Sequence, residues 1–410
     1  VHASPRMFRS PFGRNVINVP EDQPTIQAGI DVANDGDIVL IADGIYTGPG
    51  NYDIGIYDKS VYIRSIGGPG NCVIDCNYSG RGFCFDGPES VGSILQGVTV
   101  TNGIIYNAPG AGILVSYSSA LIIDCVVSNN ITTGNGGGIA LRSSDESRLV
   151  NCIISGNSGL KGGGVISRAG SLEVSNCLIK NNSATFGGGL QVNIWTACTV
   201  KNCTFFGNTA EDGGAINIDS GYSRTQTVVN SIIRNCSEPQ INLDTGHLEI
   251  SYSNIENGYP GTGNIDAVPL YVSGPKGDFY LSQIEAGQSI DSPCLDTGNL
   301  LSTDTCFDTL GGWVICLDTL TTRTDNIPDT GLADMGFHYG IGSPITVTPT
   351  VTPTMTPTIT PTITPTPTET PTPSEVVSVE PVNGSHSASQ ETNLSVTFLN
   401  PLLPSTVTQD

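Results

Sequence analysis

The densest group of side chains that could do chemistry is a set of carboxylates toward the C-terminal end. Positions 285 to 334 carry nine Asp or Glu residues and a single basic residue, Arg323. Carboxylate oxygens are the ligands that Ca²⁺ prefers. We therefore take Asp325, Asp329 and Asp334 as candidate ligands of a structural Ca²⁺, and no other cofactor is expected. The spacing is not that of an EF-hand, so a solvated acidic surface is the alternative interpretation.

Cysteines in the same acidic segment suggest a disulfide. An exported protein meets oxidising conditions, in which Cys306 and Cys316 would close a short loop. Pairing cannot be deduced from sequence alone, and four further cysteines lie at plausible positions: Cys72, Cys76, Cys84 and Cys294. The pair Cys306–Cys316 is the best single candidate.

Composition excludes several classes of function. The chain has 16 Lys and Arg against 38 Asp and Glu, a net charge of −22, so a nucleic-acid or anionic-membrane binder that works by bulk charge is excluded. Apolar runs fall short of the ~18 residues of a membrane span, so no membrane insertion is expected. With 50 Gly and 26 Pro, a helix-dominated fold is unfavourable.

An internal repeat predicts the elements that must position these residues. Similar segments, such as "NCIISGN" and "NCLIKNN", recur every 25 to 28 residues, and a glycine column follows each of them. Each repeat holds short β-branched runs between Gly or Asn corners, without helical periodicity. Such a repeat is one coil of a solenoid, and positions 39 to 280 leave room for roughly nine or ten coils.

Equal positions in successive coils touch, because parallel strands stack about 4.8 Å apart. One column is inward-facing by its spacing and reads as buried thiols, with a metal wire or stacked disulfides as alternatives: Cys125, Cys152, Cys177 and Cys203. Two further columns are corners where Asn can adopt a left-handed backbone and bond to the next coil: Asn130, Asn151, Asn157, Asn176, Asn182, Asn202, Asn208 and Asn230.

Basic side chains are rare in the repeats. Arg142 and Arg168 each stand four residues past the glycine column in adjacent coils, so they could form a small cationic spot. Solvated decoration of the surface is the alternative interpretation. Exposed aromatic candidates, Tyr106, Tyr117, Trp195 and Tyr222, are predicted not to share a column.

These motifs resemble right-handed parallel β-helix proteins with Asn-Cys and Gly-Gly-Gly repeats. The segment "INVPEDQPTIQAGIDVANDGDIVLIADGIYTG" is similar to the start of pectate-lyase-like helices, which implies a short helix near 26–33 that covers the open end of the core. The segments "GDFYLS", "DSPCLDTGN" and "TRTDNIPDTGLADMGFHY" resemble the closing module of bacterial secreted proteins of the choice-of-anchor kind. The resemblance covers about 16–340 and implies the fold more strongly than any activity.

The composition changes after Gly340. Every even position from 346 to 372 is Thr, mostly alternating with Pro, which is typical of an extended polyproline-like linker that can be O-glycosylated. Residues 375–410 are similar to the opening strands of bacterial Ig-like domains but fall short of the ~100 residues of such a domain. The predicted all-β organisation is an N-terminal extension (1–15), the β-helix (16–285), an acidic Cys-containing closing module (286–343), the linker (344–374) and a truncated Ig-like segment (375–410).

For the function we expect a non-enzymatic extracellular structural or surface-display rod, secreted or attached to a bacterial cell. Self-association with neighbouring copies through the tail, into a fibre or surface layer, is a further expectation. The chain has no Asp-Asp dipeptide or Gly-His-Gly, which polygalacturonase-like hydrolases carry. A polysaccharide lyase or hydrolase acting on acidic glycans, and a carbohydrate-binding adhesin, remain alternatives, so polysaccharide is a possible partner.

Overall fold

The computed structural model describes residues 15–87, 92–221, 224–308 and 314–340, together with two strands farther along the chain. Short parallel strands form three faces around one apolar core. Face 3 contains nine strands, hence nine coils, within the predicted range. The chain visits face 2, face 1 and face 3 in turn in most coils.

Each strand of the coils belongs to one or two of these faces. Two long strands, Ile139–Val150 and Val165–Ser175, run through both face 1 and face 2. The other strands of face 1 are Val16–Val19, Ile38–Ile41, Tyr62–Ser65, Ser93–Gln96, Ala120–Ile123, Thr196–Lys201, Thr225–Val229 and His247–Ser251. Those of face 2 are Ile54–Tyr57, Phe83–Asp86, Ile113–Ser116, Leu190–Val192, Ile216–Asp219 and Ile241–Thr245. Face 3 consists of Gly44–Tyr46, Cys72–Asp75, Thr99–Thr101, Val126–Ser128, Ile153–Ser155, Leu178–Lys180, Thr204–Phe206, Ile232–Arg234 and Asn254–Ile255, and a small parallel pair, Ile104–Ile105 with Ile131–Thr132, lies beside it.

The core is a set of stacked side-chain columns. In face 3, Val127, Ile154, Ile179 and Phe205 lie in register and are fully buried. Alternate residues point inward because side chains on a strand have a period of two. The column of four cysteines is also buried, and its members are free thiols. Burial raises the pKa of Cys125, Cys152 and Cys177, which keeps these thiols protonated and disfavours the metal-wire interpretation, since metals bind the thiolate.

A ladder of asparagine side chains runs inside one corner of the coils. The Nδ2 atom of Asn157 donates to the Oδ1 atom of Asn182 at 3.0 Å, and Asn182 donates in the same way to Asn208 at 2.9 Å. Each Oδ1 also accepts from the backbone N–H of the preceding ladder residue, as Asn182 does from Asn157 at 3.0 Å. Asn130 begins this buried ladder. The ladder joins four coils by hydrogen bonds between side-chain amide groups that are buried from solvent.

The other asparagine column occupies left-handed corners. Asn151, Asn176, Asn202 and Asn230 have φ between 47° and 54°, a region in which Asn is enriched among residues with a Cβ. Their side chains point outward, and Asn151 donates to Asp124 of the preceding coil at 2.6 Å. Members of this column bond to the C-terminal segment described below.

One short α-helix, Ile26–Val32, precedes the second coil. Thr25 is its N-cap, and the Thr25 hydroxyl accepts from the Ala28 N–H at 3.2 Å. Ile26 and Ile30 are buried in the core cluster. The helix falls where the sequence predicts one, and its role as a cover over the open end of the core stays a prediction. None of the helices in the described part of the chain has the length and apolar character that a membrane crossing requires.

Residues 271–308 and 314–340 form a segment that we call the clasp, because it lies against the sides of several coils. It contains three short antiparallel pairs, Tyr271–Gly274 with Gly277–Leu281, Cys306–Asp308 with Val314–Cys316, and Leu320–Thr321 with Tyr339–Gly340, and the 3₁₀ turns Ile284–Ala286 and Leu317–Thr319. Cys306 and Cys316 form a disulfide with an S–S distance of 2.01 Å.

The clasp covers outward-facing apolar side chains of the coils. Phe307, Leu317, Leu320 and Ala333 pack on residues of face 1, including Leu121. A second group packs on face 3: Phe279, Tyr280, Phe337 and Tyr339 against Leu178, and Met335, Leu281 and Cys294 against Ile232. The boundary predicted between 285 and 286 stays a prediction, although the hairpin that precedes it already packs with this segment.

The two remaining strands, Val376–Pro381 and Leu394–Phe398, pair antiparallel in a separate unit of the chain. Their positions fall in the segment predicted to be Ig-like. Residues 1–14 of the predicted N-terminal extension (1–15), the Thr/Pro linker and the rest of the Ig-like segment lie outside the described residues, so these assignments remain predictions.

Candidate functional site

An exposed strip of polar and aromatic side chains runs along the end of face 2, across four coils. At its corner Tyr117, Ser143, Ala169 and Trp195 lie opposite one another. The Tyr117 N–H donates to the Arg142 carbonyl at 2.9 Å, and the Ala169 N–H donates to the Ile194 carbonyl at 3.1 Å, which is the parallel pattern that sets Tyr117 against Ser143 and Ala169 against Trp195. Tyr117 and Trp195 are 62% and 63% exposed.

The prediction that the exposed aromatic residues do not share a column is wrong for Tyr117 and Trp195. Tyr117 follows its column glycine, Gly112, by five residues, whereas Trp195 follows Gly189 by six. One extra residue in the later coil shifts the numbering but leaves the corner in place. All four corner residues have φ between 48° and 61°. Tyr222 lies outside the described residues.

Arg142 and Arg168 stand next to this corner and pair directly across the two long strands. The predicted cationic spot is therefore present. Both side chains are exposed, and neither makes a hydrogen bond or ion pair with the described residues. Like charges directly opposite each other on neighbouring strands are destabilising. Among the described residues, no acidic side chain pairs with either arginine to offset this repulsion.

A shallow groove of about 240 Å³ adjoins the two arginines. Its floor includes Ala140 and Ile166, which are buried outward-facing residues of face 2. Its far wall carries Asn107 and Asn135. The Oδ1 atom of Asn135 is buried and has no hydrogen-bond partner among the described residues. We call the groove together with Tyr117, Arg142, Arg168 and Trp195 the face-2 strip.

A second cluster of ionisable groups is buried in the clasp. Atoms of Asp329, Asp334 and His338 lie within 4.8 Å of one another. The Nε2 atom of His338 is 3.0 Å from the Oδ2 atom of Asp329, and its Nδ1 atom is 3.0 Å from the Gly336 carbonyl. Because both ring nitrogens face acceptors, the imidazole is best satisfied when both are protonated.

The clasp cluster bonds to the corner column of the coils. The His338 N–H donates to the Oδ1 atom of Asn176 at 2.7 Å, and the Asn176 Nδ2 atom donates to the His338 carbonyl at 2.8 Å. Asp334 accepts from the Asp296 N–H at 2.8 Å and from the Thr322 hydroxyl. The cluster therefore fixes the clasp where it meets the side of the β-helix.

Burial dominates the protonation of this cluster. It raises the pKa of Asp334 to about 7, and the charge of Asp329 adds to the rise. Burial by itself lowers the pKa of His338. The hydrogen bond to Asp329 and the two nearby carboxylates outweigh that effect, so the pKa of His338 lies above its usual value.

The structure separates the three predicted calcium ligands. Asp329 and Asp334 lie together with His338, whereas Asp325 forms a two-pronged pair with Arg323 at 3.0 and 2.8 Å. That contact lowers the pKa of Asp325. Calcium takes six to eight oxygen ligands. Two carboxylates and one imidazole, already bonded to each other and to protein donors, fit Ca²⁺ poorly, so calcium binding stays an untested prediction.

We expect removal of divalent ions to leave the clasp intact, because the carboxylates of Asp325, Asp329 and Asp334 already bond to groups of the protein. The measurement is the melting temperature of the protein before and after treatment with EDTA, followed by addition of millimolar CaCl₂. Melting temperatures within about 1 °C of each other would agree with this expectation, since a bound ion at 100 times its Kd adds about 2.7 kcal/mol. A large rise on adding CaCl₂ would restore the calcium interpretation.

A comparison with known protein families supports the fold. The family profile described as a right handed beta helix region matches residues 28–225. No curated protein matches the chain significantly. A similar solved structure is the crystal structure of pectate lyase Pel9A, with 12% sequence identity, a TM-score of 0.38, and coverage of 80% of this chain and 98% of that chain. Residues 28–225 therefore form a region of the right-handed parallel β-helix kind, in agreement with the parallel coils described above.

Proposed function

We propose that this chain is a non-enzymatic extracellular rod that displays one face at a bacterial cell surface. The observation that carries the proposal is the unbroken parallel register of face 3 through nine coils. With coils about 4.8 Å apart, the stack extends for roughly 40 Å. The buried asparagine ladder and the clasp join several coils each, so the β-helix is held as a stiff body.

The groups that could otherwise serve chemistry in the clasp are used to hold it. His338 and Asp334 bind backbone or side-chain groups of the protein on most of their polar atoms. The Thr/Pro sequence after Gly340 supports surface display, since an extended linker of that length would span roughly 80–90 Å. Assembly into a fibre or surface layer through the tail is part of this proposal, and it rests on the sequence of the tail alone.

Electron microscopy of the full-length protein as cells release it tests the display function. We expect rods of uniform length, and regular filaments would add the self-assembly part. A second experiment incubates the protein with a panel of acidic polysaccharides and calcium. The ultraviolet absorbance of unsaturated uronate reports lyase activity, and the release of reducing ends reports hydrolase activity. Product formation in either assay, lost in a heat-denatured control, would contradict a non-enzymatic rod and favour a polysaccharide lyase or hydrolase.

A further inference from the structure

We propose that the face-2 strip is a non-catalytic binding site for a linear glycan that carries anionic groups. This inference goes beyond display, because it assigns a ligand class to particular residues. It can fail while the rod remains correct, since none of the residues involved belongs to the asparagine ladder or the clasp.

The first support is the placement of the two aromatic side chains. Tyr117 and Trp195 lie at equivalent corner positions three coils apart, a separation of about 14 Å. Both have left-handed backbone, with φ of 51° and 60°, which is uncommon for a bulky residue. The two corners between them carry the small residues Ser143 and Ala169. The corner therefore presents two exposed apolar rings with open space between them.

The second support is the pair of arginines beside that open space. A guanidinium group binds carboxylate, sulfate or phosphate through two parallel N–H donors. Arg142 and Arg168 lie on adjacent strands of the same face and have no acidic partner among the described residues. On a chain of net charge −22, two adjacent cations with no partner among the described residues are a local exception. An anionic ligand that bridges them would remove their mutual repulsion.

The groove next to the arginines supplies the remaining contacts. Ala140 and Ile166 give an apolar floor, and the amides of Asn107 and Asn135 line the opposite wall. Amides exchange hydrogen bonds readily with hydroxyl groups, because each offers donors and an acceptor. Aromatic rings at the ends, cations in the middle and amides along the wall fit a chain of sugar rings with acidic substituents. An acidic peptide would use the arginines but has no regular flat faces for both rings.

The experiment measures binding of the full chain by calorimetry to oligosaccharides of one length in four sets: uronate-bearing, sulfated, phosphorylated and neutral. Poly-glutamate is the acidic polymer control. We expect at least one anionic set to bind, with affinity that falls as salt rises, and the set that binds identifies the source of the anion. Absence of binding by every anionic set at millimolar concentration, or equal binding of poly-glutamate, would overturn the proposal.

The variants separate a binding role from a structural one. Arg142→Gln with Arg168→Gln is expected to weaken anionic glycan binding at least tenfold while the melting temperature stays equal or rises, because a repulsion is removed. Trp195→Asn keeps a residue that tolerates positive φ and is expected to weaken binding severalfold. Tyr78→Asn is the matched control, since Tyr78 is 60% exposed, has φ of 56° and follows a strand of face 3 rather than face 2. Unchanged affinity in the arginine and tryptophan variants would refute the assignment of the site.

Discussion

Replacing Asn182 by alanine is expected to lower the free energy of unfolding by roughly 3–6 kcal/mol, the largest effect we expect from a single side chain in this protein. The Asn182 side chain accepts from the backbone N–H and from the Nδ2 atom of Asn157, and it donates to the Ile154 carbonyl at 2.9 Å. Asn182 is fully buried. Its loss leaves these partner groups buried without a hydrogen bond, at about 1–3 kcal/mol each.

The measurement is urea-induced unfolding followed by circular dichroism. The neighbouring residue provides a matched control, because Asn181 is exposed and has φ of 54°. Glycine adopts that backbone freely, so Asn181→Gly is expected to change stability by about 1 kcal/mol or less. If Asn182→Ala proved no more harmful than Asn181→Gly, the ladder would not be the element that joins the coils.

The variant Asp334→Asn is expected to make the protein more stable than wild type at pH 8 and about equally stable at pH 4. Burial and Asp329 raise the pKa of Asp334 from 3.8 to about 7. A raised pKa means that the folded protein keeps a proton that the unfolded chain releases. The wild type therefore loses stability as pH rises from about 4 to about 7, by an amount on the order of 2–4 kcal/mol.

An asparagine at 334 can accept from the Asp296 N–H through Oδ1 and donate through Nδ2 to the Thr322 hydroxyl oxygen, without a titrating proton. The raised pKa of His338 acts in the same direction, since its stabilising charge is lost when pH rises through the folded value. Urea unfolding at intervals from pH 4 to pH 8 measures the effect. If the stability of the wild type rose with pH, or if the stability of Asp334→Asn fell with pH as steeply as that of the wild type, Asp334 would not be the group concerned.

Asp325→Asn serves as the control of opposite sign. The hydrogen bonds from Arg323 lower the pKa of Asp325, so its contribution is present above the unfolded pKa and is lost as pH falls through the folded one. We expect this variant to alter only the acidic end of the stability profile. The two aspartates, nine residues apart in the sequence, would then titrate with opposite effects.

Much of the β-helix could be predicted because its repeats are periodic. Asn157 and Asn182 occupy equal places in their repeats, and parallel stacking puts equal places in contact. Arg142 and Arg168 were brought together by the same reasoning. The same reasoning did not place Trp195 opposite Tyr117. Its coil has one additional residue, which shifts the position counted from the glycine column but leaves the hydrogen-bonded alignment of the corners unchanged.

The side-chain contacts of the acidic closing module could not be predicted from its sequence. Its Asp residues are close in sequence, and proximity in sequence suggested one shared site for Asp325, Asp329 and Asp334. The chain turns between them, so Asp325 meets Arg323 while the other two meet His338. Without periodicity, spacing along the chain does not give the direction in which a side chain points.

By itself, the sequence determined the coil, its period, the buried columns and the corners, since each of these follows from side-chain alternation and from repeats that stack in register. Only the tertiary structure decided that the C-terminal segment lies along the sides of the coils, that His338 bonds to Asn176 from 162 positions away, and that Tyr117 and Trp195 share one corner. The physical reason is that stacking is a local, repeated interaction. The docking of the clasp instead depends on apolar surfaces to which several coils contribute, and no single repeat encodes such a surface.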